Sequence, residues 1–216
     1  MACLALLVLS PLFIFAAVGI MVSSPGPILY RARRVGLYGA PFWLYKFRSM
    51  YVSGRAAGCA ETQPASRITG ANDSRVFRFG ALLRRLKIDE LPQLLYIVRG
   101  EMAFVGPRPE DPWIVEHHYS AEDWETLHVF PGLTSPGTIY YYLHAEQFVD
   151  SADPENSYIH GPLKTKLAID RMYLRRASLS ADLKILGRTA GILFGAFLGR
   201  EQFVAVPETT LLNNRK

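Results

Sequence analysis

The sequence predicts a mostly helical α+β chain with a membrane-inserting helix at its N-terminus, a β-hairpin packed on helices, and amphipathic helices toward the C-terminus. Three observations predict it. Residues 2–22 form an uncharged, largely apolar run of 21 residues. Two aromatic and β-branched segments flank a glycine-containing turn at 36–39. Beyond residue 74, apolar residues recur at helical spacing.

About 20 apolar residues suffice to cross a bilayer, so the first segment is long enough. A secretory signal would need a positive leading region and a shorter core, and neither is present. Pro11 sits mid-segment, where proline removes a backbone hydrogen bond and kinks a helix. Ser10 can bond back to a freed carbonyl and make that kink tolerable in lipid. The element can therefore bend or span. Arg31, Arg33 and Arg34 follow it, which places its C-terminal end on the cytoplasmic side.

Ser23-Ser24-Pro25-Gly26-Pro27 ends the apolar segment. Ile28–Arg34 and Pro41–Met50 are the predicted hairpin strands. Residues 51–71, rich in Gly, Ala, Ser and Thr, read as a mobile loop. A helix is predicted over 74–87, with Val76, Phe79, Leu82, Leu83 and Leu86 on one stripe. A second starts near Asp89 and buries Leu91, Leu94, Leu95 and Val98. Val105-Gly106-Pro107-Arg108-Pro109 is a rigid loop. Further helices are expected near 111–128, 162–176 and 180–198, the last capped by Ser180. Its tail, Gly191–Leu198, is apolar enough either to lie at a membrane interface or to pack on the core.

Composition narrows the function. Half the residues are hydrophobic and 20% are charged, which excludes general disorder. Cys3 and Cys59 make no disulfide framework, and the histidines lack the spacing of a metal site. The net charge of +5 conceals an asymmetry. Residues 1–30 carry no Lys, Arg, His, Asp or Glu, whereas residues 31–88 hold twelve Lys or Arg against Glu61 and Asp73. A neutral apolar head followed by a basic block points to an anionic partner near a membrane surface. It also permits nucleic-acid binding, but no nucleic-acid-binding motif accompanies it.

Asp89-Glu90 follows the basic block. Read locally, Asp89 is an ordinary helix N-cap with an acid and a proline in the first turn. Arg108, in a proline-fixed loop, and Lys46 and Arg48, ending the second strand, change the balance. Carboxylates beside several fixed cations make a site for a phosphoanion and a metal. Arg75 and Arg85 are weaker candidates, each open to structural pairing.

The order of several stretches resembles the bacterial sugar transferases of the monotopic phosphoglycosyl transferase family. These are Ser23–Met50, Asn72–Gln93 with Lys87-Ile88-Asp89-Glu90-Leu91-Pro92-Gln93, Arg99–Pro109, Phe130–Thr134 and Ser180–Leu186. The resemblance implies a re-entrant membrane helix over 1–24, bent at Ser10-Pro11, a catalytic domain over 25–200 and a C-terminal tail over 201–216. It implies transfer of a sugar phosphate from a UDP-sugar to polyprenyl (undecaprenyl) phosphate at the cytoplasmic face of a bacterial inner membrane, as a first step of surface polysaccharide synthesis. Asp89 would be the nucleophile, leaving a phosphosugar-aspartyl intermediate and releasing UMP. Mg2+ would be held by Asp89 and Glu90, and substrate by Lys46, Arg48, Arg75, Arg85 and Arg108. Membrane lipids and downstream glycosyltransferases are the implied partners, with no nucleic acid.

Departures accompany the likeness. The Lys/Arg-Phe-Asp opening common in the family is missing. Thr134-Ser135-Pro136-Gly137-Thr138 replaces the usual Thr-Gly-Trp-Ala-Gln. Arg85-Leu86-Lys87-Ile88 stands where Lys/Arg-Thr-Ser-Leu is frequent. A non-catalytic, membrane-anchored interaction protein is the alternative; it would release no UMP from any UDP-sugar.

Overall fold

The computed structural model describes residues 2–52, 68, 73–145, 149–150 and 152–199. Most of the predicted 51–71 loop and the tail over 201–216 lie outside the described residues. The chain is a mostly helical α+β fold with two small two-stranded sheets.

The apolar head is two helices, α1 (Ala2–Val8) and α2 (Ser10–Ser23), bent by 56° where they meet. Among the described residues no single helix is long and apolar enough to cross a membrane; this bent pair reaches the length and composition only together. The bend has the cause the sequence offers. Pro11 lies in the first turn of α2, where its missing N–H costs nothing, and Ser10 Oγ donates to the Leu7 carbonyl at 2.7 Å. Ala16 and Ile20 face a core cluster with Phe47, Phe77, Leu83 and Ile88. Ile14, Phe15, Val18, Met21 and Val22 stay exposed.

Strands β1 (Leu29–Val35) and β2 (Pro41–Phe47) form the predicted antiparallel hairpin, in register from Leu29↔Phe47 to Val35↔Pro41. Side chains alternate with a period of two, so Lys46 shares the inner face with Leu44 and Phe42. β2 packs against a 3-10 turn, Ile88–Gln93. The strand ends at Phe47, and Met50 instead bridges to Val76.

The predicted 74–87 helix is shorter, α3 (Arg78–Arg85). Asp73 Oδ1 accepts from the Arg75 N–H and side chain, a local turn that competes with helix at 73–75. Lys87 then adopts a left-handed backbone, φ 53° and ψ 22°, which ends α3 and sets a new direction. The second predicted helix starts not as α-helix at Asp89 but as the 3-10 turn; only α4 (Leu94–Val98) is α-helical. Asp89 makes no capping bond there, so the N-cap reading fails.

A short parallel pair, β3 (Ala103–Val105) and β4 (Gly132–Thr134), fixes the Gly106–Pro109 loop. The Gly132 N–H donates to Pro107 O, and the Gly106 N–H to Thr134 O, both at 2.9 Å. The two backbones meet so closely that a Cβ on Gly132 would lie 2.1 Å from Gly106 N.

The helix expected over 111–128 is broken into α5 (Pro112–His118) and a 3-10 turn, Asp123–Leu127. Asp123 Oδ2 accepts from both the backbone and the hydroxyl of Ser120, which stabilises the break. Beyond β4 come α6 (Pro136–Tyr140), a π-helical turn (Tyr141–Ala145), α7 (Pro154–His160), α8 (Pro162–Leu174) and α9 (Leu179–Phe197). The first three of these were not anticipated. α9 is capped by Ser178, whose Oγ accepts from Ala181 N, and not by Ser180. Its outer residues Phe194, Phe197 and Leu198 are exposed.

Candidate active site

A cavity of about 430 Å³ opens between the hairpin, the 3-10 turn, the Arg108 loop and α9. Each element delivers a side chain for a local reason. The inner face of β2 brings Lys46. The left-handed residue Lys87 begins the turn that brings Asp89 and Glu90 to the wall. The glycine contact between β3 and β4 holds the loop that carries Arg108.

Asp89 and Glu90 are both buried, with 6% and 7% exposure, yet their surroundings differ. Glu90 receives both ends of the Arg108 guanidinium, Nη1 to Oε2 and Nη2 to Oε1, each at 2.6 Å. Burial alone would raise its pKa, but Arg108 and Lys46 hold it well below the usual carboxylate range. Asp89 Oδ1 is buried with no hydrogen-bond partner. Burial, and then the charge of Glu90, push the Asp89 pKa up, against the pull of Lys46, Lys87 and Arg84. One acid is thus a fixed anion clamped to an arginine. The other lines the cavity and has one oxygen buried without a hydrogen-bond partner.

The remaining charges sort in the same way. Arg34 pairs with Asp111, and Lys166 with Glu110 at 2.5 Å. Lys46, Arg84 and Lys87 line the cavity without an ion pair among the described residues. Burial, and then repulsion by Arg108, lower the Lys46 pKa to about 8. These unpaired cations outnumber the one unpaired carboxylate, so the cavity is suited to a polyanion. Leu44, Leu133, Leu186, Ile192 and Leu193 make another part of its wall apolar.

The sequence-derived candidates divide accordingly. Asp89, Glu90, Lys46 and Arg108 come together at the cavity. Arg48 does not line it; its guanidinium donates to Ser24 Oγ, Ser24 O and Pro25 O and ties β2 to the end of α2. Arg75 is paired with Asp73 and Arg85 is exposed; neither lines the cavity. Sequence reasoning missed Lys87, Arg84, Arg34 and the buried set Glu110, Tyr158 and Lys166, all on the cavity wall. Lys166 and Asp170 stand four apart on α8, so they share a face, and a charged pair on a largely apolar helix is the signal that could have found them.

Among the described residues no group of three or more His, Cys, Asp or Glu is placed to hold a metal ion by itself. An ion held by Asp89 Oδ1 and the spare lone pairs of Glu90 would have to take its other ligands from water and phosphate.

A family model described as bacterial sugar transferase matches residues 1–196. The chain belongs to the bacterial sugar transferase family. A UDP-glucose:undecaprenyl-phosphate glucose-1-phosphate transferase of Xanthomonas campestris pv. campestris is 35% identical over 197 residues, covering 90% of this chain and 37% of the relative. A protein of the same description from Caulobacter vibrioides is 37% identical over 183 residues, covering 83% of this chain and 61% of the relative. Exopolysaccharide production protein ExoY of Rhizobium meliloti is 36% identical over 200 residues, covering 87% and 79%. The chain therefore spans less than two thirds of the length of the first two relatives.

Proposed function

We propose that this sugar transferase moves a sugar phosphate from a UDP-sugar to polyprenyl phosphate, with Asp89 as the covalent nucleophile. The observation that carries the reading is the unpartnered Asp89 Oδ1 in the wall of a cavity that unpaired cations also line. The descriptions of the relatives supply the two substrates.

In the first step an Asp89 oxygen attacks the sugar-bearing phosphorus. The bond from that phosphorus to the oxygen of the α-phosphate breaks, and UMP leaves with the electron pair. In the second step an oxygen of polyprenyl phosphate attacks the same phosphorus. The aspartyl–phosphate bond breaks and its electrons return to the Asp89 carboxylate. No proton need be transferred in either step. A carboxylate and a phosphoanion repel, so cations must bring them together. Lys46 and Arg108 serve the donor diphosphate, while Glu90 fixes the Arg108 fork. Mg2+, when bound by Asp89 and Glu90, supplies further neutralisation of the diphosphate.

The bent α1–α2 pair fits a helix that enters and leaves the cytoplasmic face of the inner membrane without crossing it. That placement brings the cavity to the level of a lipid phosphate. The experiment is UMP release across a panel of UDP-sugars, with Mg2+ and polyprenyl phosphate, by the wild-type chain and Asp89→Asn. Release that requires Asp89 supports the reading. Absence of release from every donor favours the non-catalytic alternative.

A further inference from the structure

Lys87 has three features that the proposed donor chemistry leaves unused. Its backbone is left-handed, a conformation that strains a residue bearing a side chain and that clusters at functional sites. Its ammonium rests 4.5 Å over the Tyr142 ring and has no ion pair among the described residues. Tyr142 itself belongs to the π-helical turn, and its hydroxyl donates to Arg85 O at 2.9 Å, which locks the ring beside the end of α3.

The surroundings of Lys87 differ from those of Lys46. Lys46 lies on the hairpin, in the field of Arg108 and Arg34. Lys87 lies between Leu86 and Ile88, both packed in the cluster that includes Ala16 and Ile20 of α2, the helix with an exposed apolar face. Leu186, Ile192 and Leu193 of α9 line the same cavity, and Gly199, two residues past α9, lies near the Arg85 guanidinium. Beyond them Phe194 and Phe197 are 64% and 70% exposed. Asp89 is thus flanked by Lys46 on the hairpin and by Lys87 where apolar helices converge.

We propose that Lys87, seated on Tyr142, receives the phosphate of the polyprenyl acceptor, and that the first isoprene units run along Leu186, Ile192 and Leu193 of α9. The assignment rests on the proposed transferase reading and adds the acceptor subsite to it. An ammonium on an aromatic face is held in place yet keeps its N–H donors for an incoming anion. An apolar wall in the same cavity matches an amphiphile with one charged end, and a UDP-sugar has no comparable apolar segment.

Steady-state kinetics with separate variation of UDP-sugar and polyprenyl phosphate tests this in the full chain. Lys87→Gly removes the cation at a backbone that glycine adopts freely, so folding is spared. The acceptor KM is expected to rise about tenfold or more, as for loss of a charge-assisted contact. The donor KM should stay within about threefold, since Lys87→Gly removes only the acceptor's cation, and Lys87→Arg, which retains a cation, should keep the acceptor KM near that of the wild type. Equal rises in both KM values, or an unchanged acceptor KM in an active Lys87→Gly enzyme, overturn the assignment alone. A wild-type chain that transfers from no UDP-sugar overturns the transferase reading, and this assignment with it.

Discussion

Adjacent carboxylates in this chain divide their roles through their partners. Glu90 spends both oxygens on Arg108, and Asp89 keeps one oxygen bare in a buried wall. Nothing in the dipeptide itself distinguishes them; a loop 18 residues away does. Another buried acid with an unpartnered oxygen, Asp170, offers a test that needs no substrate. Its Oδ1 accepts from Gly137 N at 2.8 Å, and Oδ2 lacks a partner. Burial lifts its pKa from 3.8 to about 6. The folded chain therefore holds a proton that the unfolded chain releases between those values. Stability contributed by this group is present below pH 4 and is lost as pH rises toward 6, by about 3 kcal/mol at most. Asp170→Asn keeps the acceptor for Gly137 and removes the titration. Its thermal stability relative to wild type should increase from pH 4 to pH 6.5; a constant difference would show that Asp170 is ionised throughout.

At the level of elements, the site depends on close backbone contact as much as on side chains. Gly132 and Gly106 meet where no Cβ fits, and the Arg108 loop is held by that contact. Gly132→Ala should destabilise the fold by about 2–4 kcal/mol, as overpacking against rigid backbone does, and should cost activity by moving Arg108. Gly187, inside α9 with nothing within 4 Å of an added Cβ, is the control. Gly187→Ala should raise stability by about 0.5–1 kcal/mol. Thermal unfolding of both variants decides the matter. The same contrast explains what was legible in the sequence. The hairpin, α8, α9 and the bend at Ser10-Pro11 follow from periodicity and proline, which act locally. The β3–β4 pair is three residues per strand and joins segments far apart in the chain, so no local pattern announces it. Lys46 and Arg108 were readable beside Asp89 because strand end and proline loop limit where they can point. Arg48 was misplaced because the call for cations by the Ser24 and Pro25 carbonyls becomes visible only once α2 packs on β2.

For the whole molecule, apolar surface and charged cavity lie on the same set of elements. The exposed faces of α2 and α9 belong to helices whose other faces contact the Asp89 turn or line the cavity. On the proposed reading, a chain anchored this way would present Asp89 to a lipid phosphate without a crossing helix. On the proposed re-entrant reading the bend keeps the pair from crossing, and Pro11→Leu tests it. In a Cys59→Ser background, Cys3 is exposed and reports the position of the first helix. An impermeant maleimide applied outside intact cells should leave Cys3 unlabelled, and Pro11→Leu should make it reactive, because a straightened apolar helix is long enough to span. Labelling without the substitution would show that the helix already crosses. The chemistry itself is tested by intact-protein mass spectrometry after brief exposure to a UDP-sugar and Mg2+ without acceptor. The expected product is a chain heavier by one sugar phosphate, with the adduct on the peptide containing Asp89 and absent from Asp89→Asn. An adduct on another residue, or undiminished UMP release by Asp89→Asn, would contradict covalent capture at Asp89.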